Sequence, residues 1–171
     1  MDELLDLIND QNQVTGTIAK SVAHQGGLLH RIVIGEIVNP KGEYCFVQQA
    51  GDRQDAGQFV SPIGGHVGAG ESIEAALMRE CQEECGFTPQ HFDLVGSTVF
   101  NRQVIGRHEN HLFLVYQIRS DQNPILNHES VGFRWFSVPE IKSTLQSKPQ
   151  LFGAAWHHVF KNIFPIIYSA T

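Results

Sequence analysis

The chain has 171 residues, 42% of them apolar and 18% charged, with a formal net charge of −6, which suits one domain, 1–171, with its own core. An acidic balance without a basic block argues against a nucleic-acid polymer as partner, and no apolar run nears the ~20 residues that span a bilayer. Three cysteines (Cys45, Cys81, Cys85) make neither a disulfide framework nor a C-x-x-C pair, and the acidic start Met1-Asp2-Glu3 lacks a leader pattern, so the expected compartment is the cytoplasm.

Residues 3–8 and 13–18 flank the turn-prone Asn9-Asp10-Gln11-Asn12 and read as a β-hairpin. A short helix over Ala19–His24 is expected to stop at Gly26-Gly27. His30 to Val38 reads as a strand, Asn39 to Gly42 as a turn, and Tyr44 to Gln49 as the partner strand. Ala50 to Gly57 is polar and reads as a loop. Phe59 to Gly65 leads into the next helix, with its glycines serving as a turn or as a close backbone approach to a ligand.

The stretch Gly65–Phe87 carries the chemistry. Ser72 is a natural N-cap, Glu74 suits the positive end of the helix dipole, and Gly86 suits a left-handed C-terminal stop. Leu77, Cys81 and Cys85 recur every four residues as a buried stripe, which assigns these cysteines to packing rather than to zinc. Glu80, Glu83 and Glu84 stand at i, i+3 and i+4, so their carboxylates crowd one face. Such a face calls for a cation, and Mg²⁺ accepts oxygen ligands of this kind while sharing them with phosphates. Arg79 points elsewhere and can brace Glu71 or Glu83.

Downstream, Phe92 to Val104 and His111 to Ile118 alternate as strands joined through Gly106-Arg107. Val131 to Phe136 is a further strand, and a helix is expected from Pro139-Glu140 to about Ser147. An apolar helix near Leu151–Ile167, interrupted by Pro165, is expected to pack on the sheet.

The order Gly65, Glu71, Arg79-Glu80, Glu83-Glu84, Gly86-Phe87 resembles the Nudix box, G-x5-E-x7-R-E-U-x-E-E-x-G-U, where U is a bulky apolar residue. Cys81 and Phe87 are its soft departures. The N-terminal hairpin, GLLHRIV at 27–33, YCFVQQ at 44–49 and VGFRWFSVPEI at 131–141 are similar to the branch that includes isopentenyl-diphosphate isomerase and hydrolase-like relatives. The resemblance implies an α/β Nudix fold, a mixed sheet sandwiched between helices with the hairpin at its N-terminus.

It also implies a Mg²⁺-dependent (or Mn²⁺-dependent) hydrolase of a small-molecule diphosphate, with water attacking one phosphorus of a nucleoside diphosphate joined to another group. Relatives that are dimers extend that expectation to a homodimer here. By the same resemblance Glu83 and Glu84 are metal ligands, Glu80 is a ligand or general base, and the Gly65 carbonyl is a backbone ligand. Glu71 and Arg79 are the brace, with Arg79 counted in the catalytic set. Glu129, Glu109 and His111 are candidates for a further acid, base or ligand outside the box. Arg53, Arg102 and Arg107 are candidate phosphate contacts, and Phe100 or Trp135 could stack a ring. Gln48-Gln49 stands where many relatives carry a basic pair.

The isomerase reading meets two departures. Its cysteine falls at Gly64, and its Glu-x-Glu pair falls at Glu109-Asn110-His111. His24 and His30 resemble metal-ligating isomerase positions, but they stand six residues apart where seven is expected. Among the nine histidines there is no H-x3-H pair and no Cys/His cluster with the spacing of a structural zinc site. The remaining alternatives are an isomerase-like enzyme and a Nudix-fold module that binds a nucleotide without turning it over.

Overall fold

The computed structural model describes residues 2–169, so Met1 of the acidic start and the last two residues of the expected domain lie outside the described residues. The N-terminal hairpin pairs β1 (Leu4–Ile8) with β2 (Val14–Ala19). Its turn is shaped by Asn9, whose Oδ1 accepts from the backbone N–H of Gln11 at 3.1 Å and of Gln13 at 2.9 Å. A short helix α1 (Lys20–Gly26) follows and ends on Gly27 at φ 60. The expected boundaries of this region hold within two residues.

Strand β3 (His30–Val38) is the centre of the sheet and is buried along most of its length. It lacks polar–apolar alternation because both of its faces are covered. Antiparallel partners are β1, β4 (Tyr44–Gln49) and β6 (Ile63–His66), while β8 (Arg107–Arg119) runs parallel from His30↔His111 to Val38↔Arg119. The short β5 (Phe59–Val60) and the longer β9 (Ser130–Phe136) flank β4, and β7 (Phe92–Val104) pairs with β8. The sheet is therefore mixed, with nine strands among the described residues.

Helices cover both faces. On one side α2 (Ile73–Cys85) buries Ala76, Leu77, Cys81 and Cys85 against Val33, Ile37, Cys45 and Leu114, as the four-residue stripe anticipates. On the other side α3 (Val138–Ser147) and α4 (Ala154–Ile163) bring Ile141, Trp156, Val159 and Phe160 onto Ile32, Ile34, Phe46 and Phe113. Trp156 is fully buried and stacked between Phe152 at 3.9 Å and Phe160 at 4.2 Å. Such aromatic pairs contribute about 0.5–1.5 kcal/mol each beyond area burial. A short α5 (Pro165–Tyr168) closes the described chain. No helix among the described residues is long and apolar enough to cross a membrane.

Three expectations change. Ile63 to His66 is strand rather than turn, because it pairs with β3 residue by residue from Gly35↔Ile63 to Ile32↔His66. Strand β8 begins at Arg107 instead of His111, since the hairpin turn is Ile105-Gly106, with φ 47 and 70. The last apolar helix begins at Ala154, after a 3-10 turn over Pro149–Leu151.

Candidate active site and a histidine cluster

The loop from β6 to α2 is held by one arginine. Arg79 donates from Nε and Nη2 to the two Glu71 carboxylate oxygens, at 3.0 Å each, and from Nη2 to the His66 carbonyl at 2.9 Å. Its Nη1 donates to Glu80 Oε1 at 2.6 Å, whereas Glu83 stands off at 3.8 Å. Glu71 also accepts from the Gly68 amide at 2.9 Å. Arg79 and that amide hold the Glu71 carboxyl below its usual range. Arg79 thus ties the end of β6, the loop and the first two turns of α2 together.

Glu80, Glu83 and Glu84 line one cavity of about 450 Å³. Glu84 accepts from the Gly64 amide at 2.7 Å, and among the described residues no lysine or arginine pairs with it. Burial pushes the Glu84 carboxyl well above the usual range and raises Glu80 despite its arginine. Gly65 has no room for a side chain, because a β-carbon there would lie 1.9 Å from Glu80 Cδ. Crowded oxygen donors with raised proton affinity fit a hard divalent cation.

The other predicted residues divide. Arg53, Arg102, Arg107, Phe100, Glu109, His111 and Glu129 all reach the same cavity. Most of their charge is already committed. Arg53 Nη2 lies 2.9 Å from Glu129 Oε1. Arg102 donates from Nε to Glu109 Oε2 at 2.7 Å and from Nη1 to Asp55 Oδ1 at 3.1 Å, while lying over the Phe100 ring at 5.2 Å. Arg107 Nη2 donates to Glu109 Oε1 at 3.3 Å. Trp135 is not brought to the cavity. Its Nε1 donates to Asn123 and its ring packs on the α2 side. Sequence reasoning passed over Asp55, the buried partner of Arg102, and Trp156, which lines the cavity with its faces already stacked. Neither stands in a motif, so local spacing carried no signal for them.

A second constellation opens onto the same cavity. His24 of α1, His30 of β3, His66 of β6 and His111 of β8 present ring nitrogens that all lie within 4.8 Å of one another. The parallel register sets His30 beside His111, and the antiparallel register sets His66 opposite Ile32. His24 Nε2 lies 3.3 Å from His66 Nε2 and 3.3 Å from His111 Nε2. His30 Nδ1 donates to the Leu28 carbonyl at 2.7 Å, which leaves Nε2 as a bare lone pair, and that atom is buried without a partner. Burial holds all four rings neutral, with His24 pushed down to about 4 and His111 to about 2. His24 and His30, which their separation along the chain set aside, are brought together with His66 and His111 because four elements converge here.

Comparison with known proteins adds the following. A family model described as NUDIX domain matches residues 28–154. The chain is 26% identical over 157 residues to isopentenyl-diphosphate Delta-isomerase 2 of Photorhabdus laumondii, covering 89% of this chain and 87% of that one. It is 42% identical over 64 residues to 8-oxo-dGTP diphosphatase of Escherichia coli, covering 37% of this chain and 49% of the other. In fold it is similar to a crystal structure from Deinococcus radiodurans, with a TM-score of 0.75, 22% identity, and coverage of 93% of this chain and 98% of that one.

Proposed function

Because the chain belongs to the Nudix family, we propose that it hydrolyses a diphosphate linkage in a small molecule, a nucleoside diphosphate joined to a further group. The observation that carries this reading is the convergence of Glu80, Glu83 and Glu84 on one cavity, with Glu84 half-buried and, among the described residues, paired with no basic side chain. Those three carboxylates and the Gly65 carbonyl would hold Mg²⁺ or Mn²⁺. Such a cation, when bound, neutralises charge on phosphate oxygens and makes a bound water more acidic.

The chain's own groups supply position and proton transfer. Arg79 fixes one oxygen of Glu80, and burial raises the proton affinity of that carboxylate. Glu80 therefore suits the acceptor of the proton leaving the attacking water. Glu129, turned into the cavity and paired with Arg53, is the second acid within reach. Arg53 is half of a half-buried pair at the cavity wall and could exchange Glu129 for a phosphate.

An isomerase-like reading draws on similarity to the Photorhabdus isomerase over most of the chain. Against it, Gly64 offers no thiol where the resemblance calls for the isomerase cysteine. The test is phosphate release, through a coupled phosphatase or pyrophosphatase, over nucleotides, nucleotide sugars, dinucleoside polyphosphates, coenzyme A, NAD and isopentenyl diphosphate, with and without Mg²⁺. The expected result is a metal-dependent hit that Glu83→Gln lowers about 100-fold in a protein that stays folded. Isomerisation of isopentenyl diphosphate, or a Glu83→Gln variant with most of its activity, overturns the proposal. Silence over the whole panel from a protein that binds Mg²⁺ favours the non-catalytic module.

A further inference from the structure

We propose that Ser61 is a further substrate contact, donating its hydroxyl proton to a phosphate oxygen, and that the buried Glu36 is the positioning residue that frees this proton. The proposal rests on the diphosphate reading of the cavity. Ser61 stands in the link between β5 and β6, half-buried, and lines the cavity that holds Glu80 and Glu84. Glu36 belongs to β3, where Ile32, Ile34 and Glu36 share one face of the strand. The two isoleucines line the cavity, and Glu36 continues their row into the core, fully buried.

The two side chains meet through Ser61 Oγ and Glu36 Oε1, while Glu36 Oε2 has no partner. Among the described residues no lysine, arginine or histidine pairs with Glu36. Gln117 lies beside it in the parallel register, but its amide donates to Tyr44 Oη at 2.9 Å. A carboxyl group sealed from water, with one hydroxyl as its partner and no cation, keeps its proton. A proton on Oε2 would be a buried donor without an acceptor. On Oε1 it is donated to Ser61 Oγ, and Oε2 is left as an unmet carbonyl oxygen, the commoner of the two defects. The neutral acid thus donates to Ser61. The Ser61 O–H, which rotates freely about its own bond, then has the cavity to donate into.

Ionised Glu36 reverses this bond. It takes the Ser61 proton, and the hydroxyl turns only lone pairs to the cavity, where phosphate oxygens offer lone pairs as well. The donor sense of Ser61 is therefore set by a group sealed away from substrate. Burial pushes the Glu36 carboxyl up to about 8, so the reversal is centred there. The titratable groups that face Glu36 are Tyr44 and Cys45 of β4. Burial first, and the charge of Glu36 second, push both upward, Cys45 to about 12, so both stay neutral through the reversal.

The test is binding of methylenediphosphonate, a diphosphate analogue that resists hydrolysis, to the whole chain in Mg²⁺. Calorimetry gives Kd below and above the Glu36 transition, at about pH 6.5 and about pH 9. Titration of the probe, and of Glu80 or Glu84, is common to wild type and variants and cancels in Kd ratios taken at one pH. Glu36→Gln offers Ser61 an amide donor at every pH. It is expected to match wild type at the lower pH and to bind about 10-fold more tightly than wild type at the higher, the worth of one hydrogen bond to a charged group. Ser61→Ala is expected to bind about 10-fold more weakly than wild type at the lower pH and to lose that difference at the higher. A ratio of Glu36→Gln to wild type that stays the same at both pH values overturns this proposal and leaves the diphosphate reading standing. So does a folded Ser61→Ala that binds as tightly as wild type at the lower pH. Absence of Mg²⁺-dependent binding by wild type overturns both. The comparison of Glu36→Gln with wild type stands whether or not Ser61→Ala folds.

Discussion

At Gly65 the absence of a β-carbon is a condition of the carboxylate site, since any side chain would overlap Glu80. The backbone there is ordinary strand with no positive φ, so the constraint is steric rather than conformational. Gly65→Ala is expected to expel the Glu80 carboxylate, abolish metal-dependent turnover and weaken Mg²⁺ binding, which a Mn²⁺ titration by electron paramagnetic resonance would register. Gly64→Ala is the folding control, because its β-carbon meets an Ile34 methyl at an unstrained 3.5 Å. The same residue scale separates what was legible from what was not. Glu80, Glu83 and Glu84 announce themselves because helical spacing alone puts them on one face. His66 does not, since its importance comes from a strand register with β3.

Helix α2 was readable at both ends. Ser72 Oγ accepts from the Ala75 amide at 3.2 Å, and Gly86 takes φ 74, as its capping residues imply. Arg79 couples this element to its neighbours, using a planar fork that lysine lacks. Arg79→Lys is expected to keep the fold and its charge yet lose the simultaneous grip on Glu71, Glu80 and the His66 carbonyl. Turnover should fall about 10-fold or more, in line with losses from other orienting contacts, while the melting temperature drops by a few degrees. A variant at full activity would show that the brace is dispensable. The β7–β8 hairpin was misread by four residues for a definable reason. Ile105 adopts φ 47, a conformation rare for β-branched residues, so an isoleucine concealed a two-residue turn of the kind that asparagine and glycine advertise.

For the molecule as a whole, a buried acid links stability to pH. Glu36 on β3 is fully buried, its Oε1 is hydrogen-bonded to the Ser61 hydroxyl, and its Oε2 has no partner. Burial pushes its carboxyl up to about 8 from 4.5. The folded state therefore keeps a proton that the unfolded chain releases. That contribution is fully present below about pH 4.5 and is lost as pH rises toward 8. Glu36→Gln keeps the shape and removes the titration, so its melting temperature relative to wild type should climb between pH 5 and pH 8. A constant difference across that range would mean that Glu36 does not carry the linkage. The buried histidines act in the opposite sense. With His24 depressed to about 4, the stability that its neutral ring contributes erodes as pH falls below the ordinary histidine range.

The sequence by itself determined the family, most strand and helix positions, and the carboxylate face of α2, because these depend on interactions within a few residues along the chain. Tertiary structure alone decided three further matters. The parallel pairing of β3 with β8 set His30 beside His111 and assembled a histidine cluster from four elements. Asp55 and Glu109 claimed Arg102, withdrawing from free use a cation that looked available for phosphates. Glu36 was sealed in the core, where desolvation changes its acidity. Each depends on strand register, on contacts between residues distant in the chain or on burial, and none of these is carried by local spacing.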